Sequence, residues 1–85
     1  MRNKLRLETY NSIKLFNRTV EDLDGKIELI CPSKGYRVNA KSFLSCVMVL
    51  SEWDADDVWV ESEEDIYSKI EPWIVIGEDS ISIHE

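Results

Sequence analysis

The sequence predicts a single α+β domain, residues 1–85, whose elements run β-α-β-β-α-β-α. Three observations predict it. A chain of 85 residues is one domain long. In several short stretches apolar and polar residues alternate at period two, the mark of a strand with one buried face. Between those stretches apolar residues recur at three- and four-residue spacing, which gathers them on one face of a helix. With 44% hydrophobic and 32% charged residues, the composition is that of an ordinary globular domain and not of a disordered chain.

Lys4-Leu5-Arg6-Leu7-Glu8 alternates as a half-buried first strand. Ile13, Phe16, Val20 and Leu23 then follow helical spacing, with Thr9 or Asn11 as the cap at the start and Asp24-Gly25 as the stop. Lys26 to Cys31 alternates again, and Pro32-Ser33-Lys34-Gly35 has the composition of a turn, so a hairpin leads into the third strand. There Tyr36, Val38 and Ala40 are expected on the buried face, with Arg37 and Asn39 outside. A strongly apolar helix follows, with Ser42 placed to accept from the Ser45 N–H as its cap. Phe43, Cys46, Val47 and Leu50 form its main stripe, and Leu44 and Met48 a second stripe beside it. Glu52 to Asp57 reads as an acidic connection, and Val58-Trp59-Val60 as a fourth strand. Ser62 with Asp65 then reads as a capping box for a third helix, with Glu63 and Glu64 in its first turn and Ile66 and Ile70 on its buried face.

Pro72 removes a backbone donor and disfavours helical geometry at Glu71, so the third helix is expected to end there. Trp73 to Ile76 and Ile81 to Ile83, separated by Gly77-Glu78-Asp79-Ser80, read as a C-terminal β-hairpin. The alternative is a helix kinked at Pro72 that runs on through Val75.

Seventeen acidic against ten basic side chains give a net charge of −7, which opposes a phosphate backbone and an anionic membrane surface, so neither nucleic acid nor membrane is expected as a partner. There is no apolar run of signal-peptide or membrane-span character, and a cytoplasmic protein is expected. Cys31 and Cys46 read as small buried thiols of a reducing compartment. No cofactor or metal is expected. His84, the one histidine, and two separated cysteines show no ligand spacing, and the run Asp54, Asp56, Asp57 lacks the glycine and distal glutamate of a calcium loop.

Val38-Asn39-Ala40-Lys41-Ser42, followed by an apolar helix carrying Val47-Met48, resembles the second half of HPr. HPr is the small histidine-containing phosphocarrier of the bacterial sugar phosphotransferase system. The resemblance is placed on residues 1–71, leaving 72–85 as a divergent extension. It implies an open-faced β-sandwich, a four-stranded antiparallel sheet with helices on one face. In that family the phosphoryl group travels on the histidine of a Gly-x-His-Ala-Arg-Pro segment between the first strand and first helix. Thr9 here falls near the phosphoacceptor position and Asn11 near the arginine. Neither an imidazole to form a labile phosphoryl bond nor a guanidinium to neutralise the phosphate is present there. A phosphate ester on Thr9, Tyr10 or Ser12 is too stable to be passed on reversibly.

The expectation is therefore an HPr-like binding or regulatory protein without histidine phosphocarrier activity, and not an enzyme. Its alternatives are an active carrier with an unrecognised acceptor and an acidic interaction module unrelated to sugar transport. Ser42 matches the serine that a dedicated kinase phosphorylates in many Gram-positive bacteria, and a phosphate there would meet free N–H groups and the positive end of the helix dipole. The other reading of Ser42 is a helix cap alone. Phe43, Leu44 and Met48 are the expected contact residues for a protein partner, either a phosphotransferase-system or a transcription-regulatory protein. A monomer is expected, with a homodimer through the C-terminal segment as the alternative.

Overall fold

The computed structural model of the protein describes residues 1–76. The chain runs β1 (Arg2–Lys4), α1 (Tyr10–Glu21), β2 (Ile27–Cys31), β3 (Tyr36–Asn39), α2 (Phe43–Glu52), a 3-10 turn (Ala55–Asp57), β4 (Trp59–Ser62), α3 (Tyr67–Ile70) and a second 3-10 turn (Glu71–Trp73). The four strands form one antiparallel sheet in the order β1-β4-β2-β3. The α+β class, the succession of elements and the open-faced sandwich are thus as the sequence predicts. The core lies between sheet and helices, where Leu29 and Val60 from the strands meet Ile13, Phe16 and Val20 of α1, Cys46 and Val49 of α2, and Ile70 of α3. Burial of these side chains removes apolar surface from water and is the main drive to fold.

Period-two alternation puts Arg2, Glu28, Arg37 and Glu61 on the other face of the sheet. Arg37 donates to both Glu28 and Glu61, and Arg2 pairs with Glu61 at 3.2 Å. Hydrogen bonding to Arg37 holds the Glu61 carboxyl below its usual range, and Glu61, then Glu28, raises the guanidinium in return. The β2–β3 turn closes with Gly35 N–H donating to the Cys31 carbonyl at 2.9 Å, and Gly35 takes the positive φ of 71° that a side chain would resist. Asp57 ties this turn to the start of β4, accepting from the Ser33 hydroxyl and from Cys31 Sγ at 3.1 Å. Both cysteines are free and buried.

Four local expectations are corrected. The first strand is Arg2–Lys4 and not Lys4 to Glu8, because its ladder with β4 ends once Leu5 has bonded Val58, and the chain then pairs elsewhere. Leu5 and Leu7 are still buried, as the alternation requires. Tyr36 is 51% exposed, since β3 is an edge strand and leaves that ring half covered against Trp53 at 6.0 Å. Ser62 is not a helix cap. It belongs to β4, paired with Ile27, and its hydroxyl donates to the Glu64 carbonyl. The third helix shrinks to Tyr67–Ile70, with Ile66 and Ile70 buried as expected and Pro72 inside the 3-10 turn that follows.

No kinked helix runs through Val75. Instead Trp73 to Val75 lies along the outer edge of β1: Arg6 N–H donates to the Trp73 carbonyl at 2.9 Å, Val75 N–H to the Lys4 carbonyl at 3.0 Å, and Leu5 bridges Ile74. Trp73 also meets Phe16 edge-on, with ring centroids 5.6 Å apart. The second arm of the expected hairpin, Ile81 to Ile83, and His84 lie outside the described residues.

Candidate partner-binding surface

Helix α1 begins at Thr9, whose extended backbone lets its hydroxyl accept from the Ser12 N–H at 3.0 Å while Thr9 N–H donates back to Ser12 Oγ at 3.2 Å. This reciprocal pair satisfies two donors that a helix start otherwise leaves free. The Thr9 hydroxyl is thereby occupied as a cap. Asn11 is exposed in the first turn of α1.

Helix α2 begins at Ser42, which accepts from Ser45 N–H at 3.3 Å. The approach to it is fixed from several sides. Asn39 Oδ1 accepts from Lys41 N–H at 2.9 Å, the Asn39 carbonyl accepts from Ser42 N–H at 3.1 Å, and Lys41 Nζ donates to the Leu23 carbonyl at the far end of α1. Beneath them the buried Ala40 carbonyl accepts from Asn17 Nδ2 at 3.1 Å and from Cys46 Sγ at 3.2 Å. Burial pushes the Cys46 thiol up to about 11, opposed weakly by its hydrogen bond with Asn17, so it is an S–H donor at neutral pH.

The structure brings Tyr10, the first residue of α1, against Phe43, the first residue of α2, edge to face at 6.0 Å. Phe43 is half-buried, Tyr10 is 55% exposed and Leu44 is 80% exposed. A cavity of about 240 Å³ opens here, and Tyr10, Lys14, Asn17, Arg18, Glu21 and Phe43 line it. Of the three expected contact residues, Phe43 and Leu44 therefore sit at this start of α2. Met48, one turn further on, lines a different and larger groove of about 560 Å³ between α2 and β3, beside Tyr36, Val38 and Trp53.

Sequence reasoning left out Tyr10, Asn17, Tyr36 and Trp53 as surface-forming or positioning residues. Asn17 carried a readable signal, because it falls four residues after Ile13 on the same stripe and is only 4% exposed. The aromatic partners had none, since pairing across two helices or between strand and helix depends on the topology. Among the described residues no three His, Cys, Asp or Glu side chains are grouped so that they could hold a metal ion, and no helix is long and apolar enough to cross a membrane. Comparison of the chain with protein-family models, with curated proteins and with solved structures returns no match.

Proposed function

We propose that the chain is an HPr-like protein-binding or regulatory module of the cytoplasm, related to the sugar phosphotransferase system and without histidine phosphocarrier activity. The observation that carries this is the apolar start of α2, where the half-buried Phe43 meets the exposed Tyr10 edge to face and the next residue, Leu44, is 80% exposed. An exposed aliphatic side chain and an exposed aromatic ring at one helix start favour a protein partner, which would cover them. The engagement of Thr9 in a reciprocal cap supports the loss of carrier chemistry at that position. Ser42 supports regulation: its hydroxyl is half-buried at the head of α2, so a phosphate there would alter the charge of the surface that Leu44 and Phe43 present.

The test has two arms. The chain is incubated with the general phosphotransferase enzyme and labelled phosphoenolpyruvate, then with an HPr-type kinase and labelled ATP, and intact mass is read after each. No adduct in the first arm, and a single phosphate in the second that Ser42→Ala abolishes, is the expected result. An acid-labile, base-stable adduct in the first arm would make the protein an active carrier. Equal labelling of wild type and Ser42→Ala, or of neither, would leave Ser42 as a cap alone.

A further inference from the structure

The two edges of the sheet differ. Antiparallel pairing alternates between residues whose backbone groups face the neighbouring strand and residues whose groups face away. On β1 the C-terminal part of the outer edge is covered, since the Lys4 carbonyl and Arg6 N–H bond Val75 and Trp73. On β3 the bond from Ala40 N–H to the Ile27 carbonyl, with the register Leu29↔Val38 and Glu28↔Asn39, turns Tyr36 and Val38 toward β2 and Arg37 and Asn39 outward. The Asn39 carbonyl bonds Ser42 N–H. The Arg37 N–H, the Arg37 carbonyl and the Asn39 N–H have no hydrogen-bond partner among the described residues. Such an edge is a template for another strand. Directly beside it lies the groove of about 560 Å³, with Tyr36, Val38, Met48 and Trp53 as its apolar lining and Lys34, Arg37 and Glu52 as its charges.

We propose that β3 and this groove bind an extended segment of a partner protein, added antiparallel to β3. This site is separate from the surface at the start of α2 and does not depend on the function proposed for it. Pairing with the outward groups of Arg37 sets one partner residue opposite Arg37, with its side chain on the sheet's open face. The residues on either side of it fall opposite Val38 and Tyr36 and project into the groove toward Met48 and Trp53, so both are apolar. An antiparallel segment runs toward Lys34 at its C-terminal end. Lys34 has no ion pair among the described residues, whereas Arg37 is held by Glu28 and Glu61, so an acid is favoured at that end. The recognised pattern is apolar, any, apolar, any, acid. A second copy of this chain fits less well. Two-fold pairing about Arg37 sets two guanidinium groups opposite each other, pairing about Val38 calls on the Asn39 carbonyl already bonded to Ser42, and each copy brings a net charge of −7.

The full chain is panned against a random nonapeptide library, and the enriched peptides are synthesised and titrated. Enrichment of the stated pattern is expected. Arg37→Pro removes the outward donor without breaking a bond to β2 and should weaken the best peptide about tenfold, whereas Arg37→Ala, which keeps the N–H, should change it by no more than about threefold. Met48→Glu on the helix wall is the second variant, also expected to weaken binding about tenfold, and it serves should the proline variant fail to fold. The proposal is overturned if no peptide is enriched, if the enriched peptides lack the pattern, or if they bind Arg37→Pro and Arg37→Ala equally. A wild-type dimer in sedimentation that Arg37→Pro dissolves would also overturn it, by making a second copy the occupant.

Discussion

The Ala40 carbonyl offers the sharpest test of how α2 is held in place. It is fully buried and has two donors, the Asn17 amide at 3.1 Å and the Cys46 thiol at 3.2 Å. Asn17→Ala removes the hydrogen bond to the Ala40 carbonyl, about 1 kcal/mol, with the long 3.9 Å one to Cys46 Sγ and some buried packing, for a total loss of roughly 1.5 to 2 kcal/mol. Cys46→Ala removes the weaker donor and a buried sulfur, and should cost roughly 1 to 2 kcal/mol. Each single variant leaves the carbonyl one partner. The double variant leaves none, and an orphaned buried acceptor costs about 1 to 3 kcal/mol, so the pair should exceed the sum of the singles by about 1 kcal/mol. Urea unfolding followed by fluorescence of the three tryptophans gives each stability and its denaturant slope. Cys46→Ser in the Asn17→Ala background restores a hydroxyl donor and should recover part of the coupling. Additivity within about 0.3 kcal/mol would refute the reasoning, because it would mean that water or another donor reaches the carbonyl in the double variant.

Three further outcomes are expected. In alkali, an unfolded Cys46 thiol ionises near its ordinary value of 9.0 while the folded one resists to about 11, so its contribution to stability is whole below pH 9 and is lost as the pH rises toward 11. The stability difference between wild type and Cys46→Ala, measured by urea unfolding across that window, should shrink by up to roughly 2 kcal/mol. The Asp57 carboxyl is held below its ordinary 3.8 chiefly by the Ser33 hydroxyl, so its stabilising share is present above that value and is lost as pH falls through the folded pKa. Ser33→Ala should move the Asp57 titration upward by NMR. Trp73→Ala, which removes the ring contact with Phe16, should cost about 2 to 3 kcal/mol and speed hydrogen exchange at the Arg6 and Val75 amides ahead of those in β2.

Features set by a few neighbouring residues were legible in the chain. Thr9 and Ser42 cap the helices they precede because a hydroxyl two or three residues before a free N–H needs no tertiary help, and Ile13, Phe16 and Val20 declare their face by spacing alone. Ser62 shows the limit of such reasoning. Its spacing to Asp65 looks like a capping box, but pairing of β4 with Ile27 extends the strand through it, and the ladder overrides the local preference. Val49 went unread for the opposite reason: α2 is apolar nearly all round, so periodicity could not rank its faces. Nothing in Tyr36-Arg37-Val38-Asn39 says that β3 is an edge, and that follows only from the order β1-β4-β2-β3. Both candidate surfaces share this origin. Each joins residues from two elements, Tyr10 with Phe43 and Tyr36 with Trp53, which meet only after the sheet and helices have packed.

The position of β1 also sets the order in which the molecule can assemble. The β2–β3 hairpin needs only the four residues of its turn between its strands, whereas β1 pairs with Trp59 to Glu61 on one side and bonds Trp73 and Val75 on the other. On a ribosome the first strand is made about seventy residues ahead of Val75 and is the last to have both its sides used. At synthesis rates of about 5 to 20 residues per second, it waits roughly 4 to 15 s for Val75 to appear. Until then Leu5 and the Phe16 ring that Trp73 will meet are bare, and so is one long side of the sheet. A chaperone that shields short apolar strands, or a pause in translation before Trp73, would act on this interval and leave the finished fold unchanged.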